Sequence, residues 1–159
     1  MNYTDKKTTP GVPSHQIAQF QELITRLFQC CQERMQYQSE RFGLPDAELR
    51  CLRLFANERY LTPKSIAYKM NVVKSRVTKI INGMVRRHLI QRIKDPEDSR
   101  VTLLSLTPKG HEKLNEIRVF LDSIHQEVLA QIAPEQRKTM LTNLEVLKAS
   151  MEAVKELMV

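Results

Sequence analysis

Tryptophan is absent from this 159-residue chain, glycine occurs only four times and cysteine three times. Aromatics make up 6% of the residues and hydrophobics 42%, so the core is expected to be aliphatic. Scarce glycine with plentiful Leu, Lys, Glu and Gln favours helix over sheet. Cys30, Cys31 and Cys51 form no CxxC pair and no even framework, which argues against a disulfide scaffold. His15, His88, His111 and His125 are scattered, with no pair at ligand spacing on one helix. No metal site and no cofactor is implied. No apolar run approaches the roughly 18 residues of a membrane span, and Met1 to Ser14 lacks the apolar core of a signal peptide. These absences point to a cytoplasmic chain with reduced cysteines and no membrane partner.

What is present is charge, unevenly placed. The chain carries 25 Lys or Arg against 18 Asp or Glu, a net +7. Between Thr62 and Gly110 there are 11 Lys or Arg and 3 Asp or Glu, a net +8, so the rest of the chain sums to −1. A positive block in an otherwise near-neutral protein suits a polyanionic partner. The bland alternative is a solvated basic face.

Apolar spacing lays out the elements. Residues 1–13, with Pro10, Gly11 and Pro13, read as a flexible arm. Ser14 is the expected N-cap of a long helix over 14–43, with Ile17, Phe20, Ile24, Leu27, Phe28, Cys31 and Met35 on one stripe and Gly43 as its end. A second helix is expected over 45–56, with Leu49, Leu52 and Phe55 inward. Thr62-Pro63 is a cap-plus-proline start for a short helix over 64–70. Asn71-Val72-Val73 is a tight connection to a helix over 74–87, whose apolar face is Val77, Ile80, Ile81 and Met84. Residues 89–93 and 100–106 read as a hairpin around the polar turn 94–99. Thr107-Pro108 starts a long helix and Pro134 the last one, whose Met140, Leu144, Leu147, Met151, Val154 and Met158 form a heptad-like seam. Terminal helices with such seams suit packing between two copies of the chain, the alternative being a bundle within one chain.

The fold class that follows is mainly α with a small β-hairpin: a winged helix-turn-helix lobe over 44–110, a dimerisation helix over 14–43 and C-terminal dimerisation helices over 111–159. Two short helices joined by a tight turn make a helix-turn-helix, whose second helix is the candidate reader of a DNA major groove. Lys74, Ser75, Arg76, Thr78 and Lys79 supply the residue types for it. Arginine bonds a guanine edge with two donors, hydroxyls reach bases or phosphates, and lysine neutralises phosphate. Thr62 and Lys64 open the preceding helix, and Arg92 and Lys94 lie on the strand leading into the wing. Asp98 is expected to pair with a nearby arginine and fix the turn, leaving Arg100 to reach the minor groove; the alternative is that Asp98 and Arg100 form only a structural salt bridge across the turn.

The stretch 61–110 resembles the DNA-binding core of the MarR family of bacterial regulators. The matching features are Leu61-Thr62, Val77-Thr78, Leu89-Ile90 leading to Arg92, Asp95-Pro96 with Asp98-x-Arg100, and Leu106-Thr107-x-x-Gly110. The resemblance implies a homodimer with two winged lobes on a pseudo-palindromic double-stranded operator. In it the helix over 74–87 enters the major groove and Arg100, supported by Asp98, the minor groove. It also implies a ligand-responsive repressor, with a small aromatic or phenolic ligand near Arg34, Met35 and Phe55. Three positions depart from the family pattern. Val73 replaces a capping Ser, His88 replaces a Gly of positive φ, and Gly83 interrupts the reading helix.

Three alternatives stand beside this reading. A redox-responsive regulator would sense oxidants through Cys30 or Cys31, which needs an accessible thiolate. A winged-helix protein-interaction module would not need the basic block. A thiol enzyme using Cys51 or Cys31 would need a histidine base; no catalytic residue is assigned and the chain is not expected to be an enzyme.

Overall fold

The computed structural model describes residues 11–158. Most of the expected N-terminal arm lies outside them. The order is α1 (Ser14–Phe42), α2 (Asp46–Leu54), α3 (Pro63–Met70), α4 (Lys74–Arg86), β1 (Ile90–Lys94), β2 (Thr102–Leu106), α5 (Pro108–Ala130) and α6 (Pro134–Glu156). The chain divides into two compact units, one ending at Thr107 and one starting at Pro108.

In the first unit, α2 packs on α1, α3 and α4, and α3 packs on α4. The core is aliphatic as composition requires. Leu52, Ile66, Met84 and Leu104 are fully buried, with Leu49, Val77 and Leu89 beside them in burial. Ser14 does not cap α1. It is the first helical residue, and Pro13 holds the cap position without a side-chain hydrogen bond.

Three helices close in the same way. After α1, Gly43 N donates to Glu40 O and Leu44 N to Ser39 O. After α3, Asn71 N donates to Tyr68 O and Val72 N to Ala67 O; after α4, His88 N donates to Val85 O and Leu89 N to Met84 O. Each is a Schellman ending, which puts one residue in the left-handed region. Gly43, Asn71 and His88 have φ of 61°, 52° and 59°. Gly43 has no Cβ penalty there, and Asn71 and His88 are of the types enriched at positive φ among non-glycine residues, at a cost that glycine avoids.

β1 and β2 pair antiparallel, from Ile90 opposite Leu106 to Lys94 opposite Thr102. The strands are shorter than expected at two ends. Leu89 N is used by the α4 ending, and Val101 N donates to Asp98 O inside the turn. Leu61 adds an antiparallel bridge to Leu104, with N···O distances of 3.0 and 2.7 Å. This bridge ties the wing to the residue before the α3 cap.

The second unit is a helix pair. Arg137 on α6 donates through Nε to Leu129 O and Ile132 O at the end of α5, at 2.8 and 2.9 Å. A cation there suits the negative end of that helix. Ile117 is fully buried, Leu121 nearly so, whereas Leu144, Met151 and Val154 are exposed.

Candidate nucleic-acid interface

The helix-turn-helix is built on two fixed starts. Thr62 and Ser65 form a reciprocal capping box: Ser65 N donates to Thr62 Oγ1 at 3.1 Å and Thr62 N donates to Ser65 Oγ at 3.0 Å. The Thr62 hydroxyl is thereby engaged in starting α3, while Lys64 beside it is exposed. Val72 then closes the turn, and α4 begins at Lys74.

α4 is divided by burial. Val77, Ile80, Ile81 and Met84 are in the core, and Lys74, Ser75, Arg76, Thr78 and Lys79 are all exposed. One of these is turned back: Thr78 Oγ1 donates to Lys74 O at 3.1 Å. Among the described residues, none of Lys64, Lys74, Arg76, Lys79 and Lys94 has a carboxylate within ion-pair distance. Their positive charge is therefore available to an external anion.

Asp95 and Asp98 shape the wing turn from inside. Asp95 Oδ1 accepts from Glu97 N at 2.8 Å and from Asp98 N at 3.3 Å. Asp98 Oδ1 accepts from Arg100 Nε and Arg100 N, both at 3.0 Å, and Oδ2 accepts from Arg100 Nη2 at 3.3 Å. The Arg100 side-chain bonds and then its backbone bond hold the Asp98 carboxyl below the usual carboxylate range. The Arg100 side chain remains 89% exposed, so the pair aims the guanidinium without burying it.

Two contacts had no local signal. Arg92 donates through Nη2 to Asn82 Oδ1, which links β1 to α4. Glu48 on α2 is 8% exposed and accepts from Arg87 Nε at 2.9 Å. It does so by passing over Gly83, where an added Cβ would overlap its carboxylate. Gly83 is thus a site of close approach.

The remaining candidates sit apart from this face. Arg34 and Met35 are half-buried on α1, and Phe55 is a core side chain at 5% exposure. Cys51 is fully buried, and its thiol is pushed up to about 12, first by burial and then by the Glu48 charge. A thiolate nucleophile at neutral pH is therefore not available there. Cys30 and Cys31 are exposed. Among the described residues no helix is long and apolar enough to cross a membrane.

Residues 44–102 match the profile of the MarR family. The Bacillus subtilis HTH-type transcriptional repressor MdtR is 30% identical over 71% of this chain and 73% of its own length. The chain belongs to the MarR family. The Escherichia coli homoprotocatechuate degradative operon repressor is 25% identical over 67% of this chain and 72% of its own length. Among the curated relatives, the first match, the HTH-type regulator YdgJ of Bacillus subtilis, is covered over 60% of its length. Streptococcus pneumoniae FabT, solved in complex with DNA, has the same fold, with a TM-score of 0.74 at 19% identity over 85% of this chain and 99% of that one. The matched relatives of this MarR-family chain are transcriptional regulators.

Its departures from the MarR pattern now have structural descriptions. Val73 holds the N-cap position of α4, with φ −71° and ψ 154°, and gives no side-chain cap. His88 takes the positive φ, and its carbonyl accepts from Thr107 Oγ1 at 2.6 Å. Gly83 makes room for Glu48.

Proposed function

We propose that this protein is a sequence-specific, double-stranded-DNA-binding transcriptional regulator of the cytoplasm, acting as a homodimeric repressor. The observation that carries this reading is the α4 surface, where Lys74, Ser75, Arg76 and Lys79 are exposed along a helix whose other face is locked into the core. Arg76 reads a base edge, Ser75 a base or phosphate, and Lys74, Lys79 and Lys64 contact phosphates. Thr62 and Thr78 contribute through the start of α3 and the α4 face. At the wing, Arg100 enters the minor groove from its Asp98 support, and Arg92 and Lys94 contact backbone.

A second copy docks on the exposed apolar side chains Phe20, Leu27 and Phe28 of α1 and Leu144, Met151 and Val154 of α6. Two lobes on one dimer suit a pseudo-palindromic site with half-sites about one helical turn apart. A small aromatic or phenolic ligand near Arg34, Met35 and Phe55 shifts the lobe spacing and releases DNA. The Escherichia coli relative, a repressor named for a phenolic compound, supports that ligand class.

The test is equilibrium binding to a selected duplex. Arg76→Ala is expected to reduce discrimination at one base pair per half-site by about 1–3 kcal/mol. Arg100→Ala is expected to weaken binding most where the minor groove is narrow and A·T-rich. Unchanged affinity and discrimination in both variants would refute these roles.

A further inference from the structure

α4 leaves one aliphatic side chain in water. Val73 is 69% exposed, whereas Val77, Ile80, Ile81 and Met84 on the helix it starts are at most 5% exposed. Packing in the turn does not use it. Val72 is half-buried there, and Val72 N makes the bond to Ala67 O that closes α3. A lone exposed aliphatic residue is ordinary on a protein surface; its position here is not. Val73 fills the slot where Ser, Thr, Asn or Asp would cap the helix, and so forfeits a capping hydrogen bond. It is followed directly by the exposed Lys74, Ser75 and Arg76.

The DNA-binding reading, on which this inference rests, brings the N-terminal end of α4 to the base edges. In the major groove, thymine is marked by its C5 methyl, and proteins recognise that group by apolar contact. A β-branched side chain on a fixed backbone has few rotamers to lose in making such a contact. We propose that Val73 is a specificity-determining residue that packs its isopropyl group against a thymine C5 methyl. Ser75 and Arg76 then supply the polar donors at this end of α4, while the Thr78 hydroxyl, its proton given to Lys74 O, is left to accept.

Replacing thymidine by deoxyuridine removes only the methyl. Duplexes selected by the wild-type protein from a random pool are remade with one such replacement at a time, and affinities are measured for wild type, Val73→Ala and Val73→Ser. The wild type is expected to lose about fourfold in affinity at one thymine of each half-site, the worth of one buried methyl-sized contact. Both variants should bind the two duplexes equally there and keep the wild-type response to changes at G·C pairs. Val73→Ser also separates reading from folding. Its hydroxyl supplies the missing cap, so thermal stability rises while methyl discrimination disappears. Two outcomes overturn the assignment: no thymine at which the wild type responds, or a response that survives in both variants. If the pool yields no enriched duplex, the DNA-binding reading itself fails and this assignment falls with it.

Discussion

A methyl group added at Gly83 would fall on the carboxylate of Glu48, whose other oxygen accepts from Arg87 Nε at 2.9 Å. Helix propensity alone favours Ala over Gly in a helix by up to about 1 kcal/mol. The overlap falls on the end of the Glu48 side chain, which clears it by giving up its bond to Arg87, so Gly83→Ala is expected to destabilise the fold by less than about 1 kcal/mol, the lost charged hydrogen bond being partly offset by helix propensity. Adding Glu48→Ala to that variant should recover part of the loss in urea unfolding; a stabilising Gly83→Ala would contradict the assigned contact. Asp98 gives a second residue-scale expectation. Its carboxyl is held below the ordinary value of 3.8 by Arg100. A folded-state pKa that is depressed means that the pairing stabilises the wing above the ordinary carboxylate range and is lost as pH falls through the folded value. The wing turn is therefore intact at neutral pH. In an NMR titration of the Asp98 carboxyl carbon, Arg100→Ala should move the midpoint up toward 3.8, and an unmoved midpoint would refute the pairing. The Asp98–Arg100 unit was legible in the sequence because its members lie two residues apart. The Glu48–Arg87 pair was not, because its members lie on different helices and leave no periodic trace.

Each helix ending has a different tolerance for the same backbone geometry. Gly43, Asn71 and His88 all occupy the left-handed region at the end of a Schellman motif. A side chain with a Cβ is strained there, less so for Asn, Asp and His than for other types, and Gly relieves the strain at some cost in unfolded-chain freedom. His88→Gly is expected to raise stability by roughly 1 kcal/mol, measured by thermal or urea unfolding. A loss would mean that the His88 side chain contributes more than its backbone strain. At this scale most of the layout was legible. Apolar spacing and the Thr62-Pro63 start placed the helices to within a residue or two at most ends. The errors have local causes: Leu89 is drawn out of β1 by its bond to Met84 O, and Arg100 is held outside β2 by the Asp98 turn. The Leu61–Leu104 bridge was missed because a single bridging residue carries no alternating pattern.

The whole molecule separates its tasks along the chain. The +8 stretch between Thr62 and Gly110 holds the exposed cations of α4 and the wing, and the remainder sums to −1. Most exposed large apolar side chains lie outside that stretch, chiefly on α1 and α6, while Tyr68 and Val73 are exposed within it. The basic lobe was legible in sequence, since both charge and motifs fall within fifty residues. The ligand candidates were inferred from position alone, and Phe55 proves to be a core side chain. Sequence-specific DNA binding is measured by the ratio of affinities for a selected duplex and for random duplex at physiological salt. An inverted-repeat site is expected to be bound at least about 10³-fold more tightly than random DNA. Both affinities should fall as salt rises, as lysines and arginines displace counterions from phosphates. Equal affinity for selected and random DNA at physiological salt would contradict sequence-specific binding.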